Sequence, residues 1–217
     1  MTWSRAALAH ATVTALAAAC PGSRADLIGS LGAGTADEYS DIDVEWVVPD
    51  GRLTTAVTSA RAVLDEVQPV AAVRVAPDYF HSARRRLLFV RFAEVSLFWR
   101  LDLAVREVSG PPAKGESDPG EHAGDHEWSR PASALANALG TIKAVARGRF
   151  DDAGGLVDRG FVRIAEADGA TGRWVADVTR LCRAAVAREP DLATLAHETI
   201  ALAEAELRGQ PGAPKKR

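Results

Sequence analysis

The sequence has only two cysteines, Cys20 and Cys182, and a single methionine among its 217 residues. They form no Cys-x-x-Cys pair and have no cysteine/histidine spacing of the zinc type, so the sequence gives no support for a disulfide scaffold or a structural zinc site. A reducing cytoplasm is the expected setting. Neither sign of charge prevails: 26 Lys and Arg stand against 29 Asp and Glu, a net charge of −3. No bulk positive field would therefore draw the whole chain to nucleic acid or anionic lipid. Long apolar runs are also lacking. The alanine-rich stretch from Ala6 to Cys20 resembles a secretory leader only superficially. It is interrupted by His10, Thr12 and Thr14 and is shorter than the roughly 20 residues a membrane span needs. Membrane is not an expected partner. Internal repeats and low-complexity tracts are missing too. What is present is ordinary globular usage, 47% apolar and 25% charged, enough for a packed core in one generous domain or two small ones.

Periodicity divides the chain into an α+β half and a helical half. Residues 3–19 carry Ala and Leu at helical spacing until Pro21-Gly22 stops them. A short strand over 26–28, a Gly/Ser/Thr-rich loop over 29–40 and an alternating strand over 41–48 follow. Helical spacing returns over 54–67, then strand-like runs over 70–75, 87–95 and 97–105. The economical architecture is a small mixed β-sheet with helices on one side. From Glu107 to Trp128 the composition turns to Pro, Gly and charge, which reads as a mobile connector or surface loop. Beyond it, 131–147, 151–167, 173–188 and 191–208 read as helices of a bundle. The expected organisation is a sheet domain over 1–108, a connector over 109–128, a helical domain over 129–208 and a disordered tail over 209–217.

The chemistry concentrates between Gly29 and Asp43. Gly29, Gly32 and Gly34, with Ser30 and Thr35, fall within seven residues, a composition that lets backbone N–H groups turn toward an anion. It matches neither a Walker loop nor a dinucleotide fingerprint. Asp41 and Asp43 follow at alternate strand positions, on one face and about 6.6 Å apart along the chain. Two such carboxylates near a cleft call for cations. Mg²⁺ binds through one or two carboxylates plus substrate phosphates. Asp102 stands alone among apolar neighbours in Leu101-Asp102-Leu103. If its strand lay beside that of Asp41 and Asp43 it would complete a three-carboxylate cluster for two metal ions. The rival reading of Asp102 is a salt bridge to Arg100 or another arginine, and that of the Asp41/Asp43 strand a solvated edge.

Gly29-Ser30, the ten residues to Asp41-Ile42-Asp43, and the later strand with Asp102 together resemble the nucleotidyltransferase superfamily of the DNA polymerase beta type. The resemblance covers residues 25–105. The helical half is similar in kind to the appended domain of small bacterial aminoglycoside and lincosamide nucleotidyltransferases. The resemblance implies that Gly29 and Ser30 hold the β- and γ-phosphates, that Asp41 and Asp43 ligate Mg²⁺, and that Asp102 joins the cluster or acts as base. Ser40 and Lys143 are further nucleotide-binding candidates. Leu31 stands where many members carry an arginine after the Gly-Ser pair. The implied reaction transfers a nucleoside monophosphate, AMP from ATP, to a hydroxyl of a small polar acceptor such as an aminoglycoside, releasing pyrophosphate. Adenylylation of a protein or RNA partner and a non-catalytic regulatory module are the alternatives.

Other residues carry less. Lys143 and Arg147 lie four apart on one helix and would meet a triphosphate across a cleft between the halves. Glu45 is a second candidate base on the Asp43 strand. Arg84-Arg85-Arg86, with Arg74 and Arg91, is a candidate basic patch, though nucleic acid is not the expected partner. Asp37, Glu38 and the stretch from Asp118 to Glu127 are a candidate acidic wall for a polycationic acceptor. His122 and His126 share that stretch with Asp125 and Glu127, a spacing suited only to adventitious metal. Trp99, Trp128 and Trp174 are expected in packing roles. A homodimer sharing a cleft is one form open to a chain of this size.

Overall fold

Ser4 starts the first helix: its hydroxyl accepts a hydrogen bond from the Ala7 N–H, capping α1 (Arg5–Ala19) and satisfying a donor that a helix start leaves unpaired. In the computed structural model, which describes residues 3–112 and 118–208, α1 leads through Gly22, at φ +82°, into β1 (Arg24–Leu27). A single helical turn, α2 (Gly29–Gly32), precedes β2 (Ile42–Val48). Then come α3 (Leu53–Asp65), β3 (Val70–Val75), β4 (Arg85–Phe92) and β5 (Leu101–Glu107). The five strands lie in the order β1-β2-β5-β4-β3. Only β2 and β5 run parallel; the other neighbours are antiparallel.

Strand alternation decides which face meets the helices. Ile42, Val44 and Trp46 of β2 and Leu101, Leu103 and Val105 of β5 are buried in one cluster with residues of α1 and α3, among them Leu8, Leu16 and Leu64. Burying each such side chain contributes about 1.5–3 kcal/mol. The same period of two sends Asp43, Glu45, Asp102 and Arg106 to the opposite face. Helices on one side of a small mixed sheet are thus the observed arrangement. The strand expected over 97–105 is shifted, because Ser96 accepts from the Phe98 N–H and starts a 3₁₀ turn over Leu97–Trp99. β5 therefore begins at Leu101 and runs on to Glu107.

The described residues fall into two compact units, divided between Trp128 and Ser129. Of the connector or surface loop expected over 109–128, residues 118–128 belong to the first unit and are held to it by hydrogen bonds. The His81 N–H donates to the Glu121 carbonyl and the Ala123 N–H to that of Pro77, both at 2.9 Å. Arg85, buried beneath the Tyr79 ring, donates to the Glu121 carboxylate at 2.8 Å. His81 Nε2 meets Glu127 at 2.7 Å. The tail expected to be disordered, 209–217, lies outside the described residues.

The second unit holds α4 (Arg130–Ala146), α5 (Phe150–Arg163), α6 (Trp174–Arg188) and α7 (Ala193–Leu207). Ser129 caps α4 by accepting from the Ala132 N–H at 2.9 Å, and α4 packs against the other three helices. Gly160 allows α5 to approach α6, since a Cβ there would stand 2.5 Å from Leu181 Cδ2. The helix expected to run to 167 ends at Arg163. Ala165 turns to φ +52° and the Glu166 N–H returns to the Phe161 carbonyl, closing the helix end. Buried Asp177 accepts from the N–H and hydroxyl of Thr171 and from Arg180, fixing the turn before α6.

Two measurements check this account. Burial pushes the Cys182 thiol up to about 12, so a thiol reagent at pH 8 should leave Cys182 unmodified until the chain unfolds; rapid labelling of the native protein would contradict the packing. The Ser82 hydroxyl and Arg85 hold Glu121 below its ordinary 4.5, and the Gly124 N–H and His81 do the same for Glu127. A depressed folded pKa contributes stability that is present above about 4.5 and lost as pH falls through the lower folded value. Hydrogen exchange over 118–127 should therefore accelerate selectively below pH 4.5, relative to the β2–β5 amides.

Candidate active site

Because β2 and β5 are parallel neighbours, Asp43 stands directly beside Asp102 in the ladder. Register partners project to the same side of a sheet, so both carboxylates rise from the face opposite α1 and α3. Asp41 lies two residues before Asp43, where the chain enters β2 through a hydrogen bond from the Ile42 N–H to the Arg100 carbonyl at 2.9 Å. Arg100 joins the acids. Its Nε and Nη2 grip Asp102 side-on at 2.7 and 2.9 Å, and Nη2 also reaches Asp41 at 3.1 Å. The three side chains are only 14–23% exposed, so this guanidinium offsets a repulsion that solvent would screen incompletely. Its other contact is Phe89 of β4, whose ring centroid lies 4.8 Å from Arg100 Cζ.

The glycine-rich segment reaches the same place. Gly29 has φ +61°, and a Cβ there would stand 2.9 Å from Asp43 Cγ and closer still to Oδ2. Only glycine tolerates both this backbone and so close a carboxylate. The Ile28 N–H donates to the Asp43 carbonyl at 2.9 Å, pinning the segment to the strand. Residues 29–32, expected as loop, form one helical turn instead. Gly32 lets that turn fold back on β1, since its Cβ would lie 2.9 Å from the Leu27 carbonyl carbon.

Asp41, Asp43, Asp102 and Gly29 are thus brought together, with Ser30 beside Gly29 in the chain. Ser40 closes a turn: its hydroxyl donates to Asp37 at 2.8 Å and accepts from the Asp37 N–H, and its carbonyl accepts from Arg5. Lys143 lies on α4 in the second unit and is buried, with Arg147 at that helix's C-terminal cap. Glu45 is taken by Arg106 at 3.1 Å, which makes it a structural pair.

In the Arg84–Arg86 run, Arg85 is buried against Glu121 and Tyr79 and Arg86 donates to the Tyr79 and Ser82 carbonyls. In the stretch from Asp118 to Glu127, Asp118 caps Gly120, while Glu121 and Glu127 pair with Arg85 and His81. Among the described residues no group of three or more His, Cys, Asp and Glu forms a ready metal site. The cation drawn in against Asp41 and Asp102 is Arg100. Its role was visible in the alternation Arg100-Leu101-Asp102, which puts both charges on one side of the chain. Phe89 had no sequence signal of its own.

No family model matches the chain, and no curated protein matches it in sequence. Solved structures that resemble it include the polymerase core of TRAMP, an RNA surveillance complex, at 13% identity and TM-score 0.39 over 94% of this chain and 59% of that one. Another is the poly(A) polymerase complex GLD-2–GLD-3, at 14% identity and TM-score 0.35 over 79% and 49%. An aminoglycoside 6-adenyltransferase from Bacillus subtilis is similar at 9% identity and TM-score 0.35 over 95% and 88%. The chain spans 59% and 49% of the first two structures. At these scores the likeness is partial, and the function proposed below rests on the residues of the site.

Removing the shared guanidinium tests the electrostatics. Arg100→Ala should cost about 1–3 kcal/mol of stability by leaving Asp41 and Asp102 unneutralised. Millimolar Mg²⁺ should return part of it, because a cation bound only by the folded state stabilises that state. Thermal unfolding with and without Mg²⁺ checks this; an unchanged midpoint for the variant would contradict it.

Proposed function

We propose that this chain is a nucleotidyltransferase that moves a nucleoside monophosphate, AMP from ATP, onto a hydroxyl of a small polar molecule and releases pyrophosphate. The observation that carries the reading is the juxtaposition of Asp43 with Asp102 across β2 and β5, with Gly29 packed on the Asp43 carboxylate. Aminoglycoside-type antibiotics belong to the proposed acceptor class.

The donor set fits a hard divalent cation: Asp41, Asp43 and Asp102 offer only oxygen, and the charge already drawn against two of them is a cation. Those three residues would hold Mg²⁺, which when bound supplies charge stabilisation for the attacking and leaving oxygens. The Gly29-Ser30 backbone and the Ser30 hydroxyl orient the β- and γ-phosphates. Asp102 accepts the proton of the acceptor hydroxyl as its oxygen bonds to the α-phosphorus and the bond to the pyrophosphate oxygen breaks. Arg100 positions the Asp102 carboxylate, and its release from Asp102 leaves an oxygen able to take that proton. Ser40 is proposed as an additional nucleotide contact.

The test is calorimetric. ATP should bind with Mg²⁺ and at least tenfold more weakly without it, and Asp43→Asn should reduce the Mg²⁺-dependent affinity by a similar factor or abolish it. Screening hydroxylated small molecules with ATP and Mg²⁺ should give pyrophosphate release that Asp102→Asn lowers by about 10²-fold or more. Metal-independent ATP binding, unchanged in Asp43→Asn, would point instead to a binding module without transferase chemistry.

A further inference from the structure

The turn after β4 keeps a glutamate where its backbone favours glycine. Glu94 has φ +57°, in the left-handed region that residues with a Cβ enter at a cost. It lines a cavity of about 460 Å³ together with Trp3, Trp99, Val67, Gln68 and Val95, a volume within the roughly 300–1,000 Å³ typical of small-molecule sites. The cavity lies on the α1 and α3 side of the sheet, because Trp3, Val67, Val95 and Trp99 pack against the core that those helices bury. Its walls are pinned. The Trp3 indole N–H donates to Gln68 Oε1 at 2.9 Å and Gln68 Nε2 donates to the Ala93 carbonyl at 2.7 Å, tying the segment before α1 to the turns after α3 and β4. The Trp99 N–H donates to the Ser96 carbonyl at 2.9 Å, which sets the second ring in its 3₁₀ turn. Both indoles are half-buried. Glu94 is the one charged residue in the described lining, and among the described residues its carboxylate meets no cation.

We infer that this cavity binds a small alkylated ammonium ion, recognised by the indoles of Trp3 and Trp99 and the carboxylate of Glu94. A cation within about 6 Å of an indole ring is attracted by the ring's quadrupole, and sites lined by aromatic residues hold quaternary ammonium groups in this way. Alkylation matters because Val67 and Val95 offer no side-chain hydrogen-bond partner. A bare ammonium would give up its water there, whereas methyl groups bury against the valines. The carboxylate sets the sign of the charge: it repels an anion, and a neutral ligand would desolvate it without giving it a partner. Glycine at position 94 would relax the turn but remove that carboxylate. Asp43 and Asp102 stand on the other face of the sheet, so this site is additional to theirs and does not depend on the transferase reading.

The experiment titrates the full chain, without nucleotide, with choline, its uncharged isostere 3,3-dimethyl-1-butanol and its unmethylated counterpart ethanolamine. Binding is read by calorimetry and by the indole N–H signals in the NMR spectrum. Choline should bind about tenfold more tightly than either comparison compound, and should shift the Trp3 and Trp99 indole signals while leaving that of Trp46 in place. Glu94→Gly should fold at least as stably as the parent chain, since it relieves the left-handed turn, and should bind choline about threefold or more weakly. Glu94→Gln should show the same loss of binding. Trp99→Leu keeps an apolar side chain without the ring and should cost a similar factor; if it does not fold, the variants at Glu94, an exposed residue, decide. Equal binding of choline and the uncharged isostere would reduce the cavity to an apolar crevice and overturn the inference. No choline binding at millimolar concentration, Glu94 variants that bind like the parent chain, or shifts confined to other indoles would overturn it too.

Discussion

Two carboxylates on adjacent parallel strands constrain everything around them. Asp43 and Asp102 are held side by side by the β2–β5 ladder, which is made by the most deeply buried strands of the sheet. The core residues Val44 and Leu103 that follow them are fully buried, so neither strand can slip by one position without inverting its apolar face. The acids cannot separate, and a cation must come to them. In this structure Arg100 meets that need, gripping Asp102 and reaching Asp41. A guanidinium on a strand-leading turn is a replaceable neutraliser, and a divalent ion carried in with a triphosphate supplies the same charge more densely.

Glycine completes the arrangement from the other direction. The backbone at Gly29 comes so near Asp43 that no side chain fits between them, which puts the N–H-bearing start of the segment next to the acid. The rest of the first unit serves this geometry. α1 and α3 bury one face of the sheet, and the acids stand on the other. The stretch over 118–127 is clamped beside Arg85, away from the carboxylate end, because Arg85 lies opposite Arg106 near the far end of β5.

Much of this was legible in the residues. Alternation in Asp41-Ile42-Asp43-Val44 and Leu101-Asp102-Leu103 identified both strands and the side on which each acid stands. What alternation does not give is strand order, so the pairing of Asp43 with Asp102 was a condition that the fold had to meet. The anchors of residues 118–128 are long-range: Glu121 and Glu127 look like loop residues until Arg85 and His81, about forty positions earlier, are folded against them. Arg85 itself sits in a run of three arginines that reads as surface charge. That the Ser40 hydroxyl closes the Asp37 turn had no signal in the motif.

The most direct measurement of the central claim is the location of a paramagnetic cation by NMR. With ATP present, Mn²⁺ in place of Mg²⁺ should broaden the amide signals of residues 29–30, 41–44 and 101–103 selectively, and diamagnetic Mg²⁺ should restore them. Broadening centred on the acidic stretch over 118–127, or spread evenly over the surface, would contradict the account: the three aspartates would then be a structural ion-pair cluster around Arg100 and nothing more.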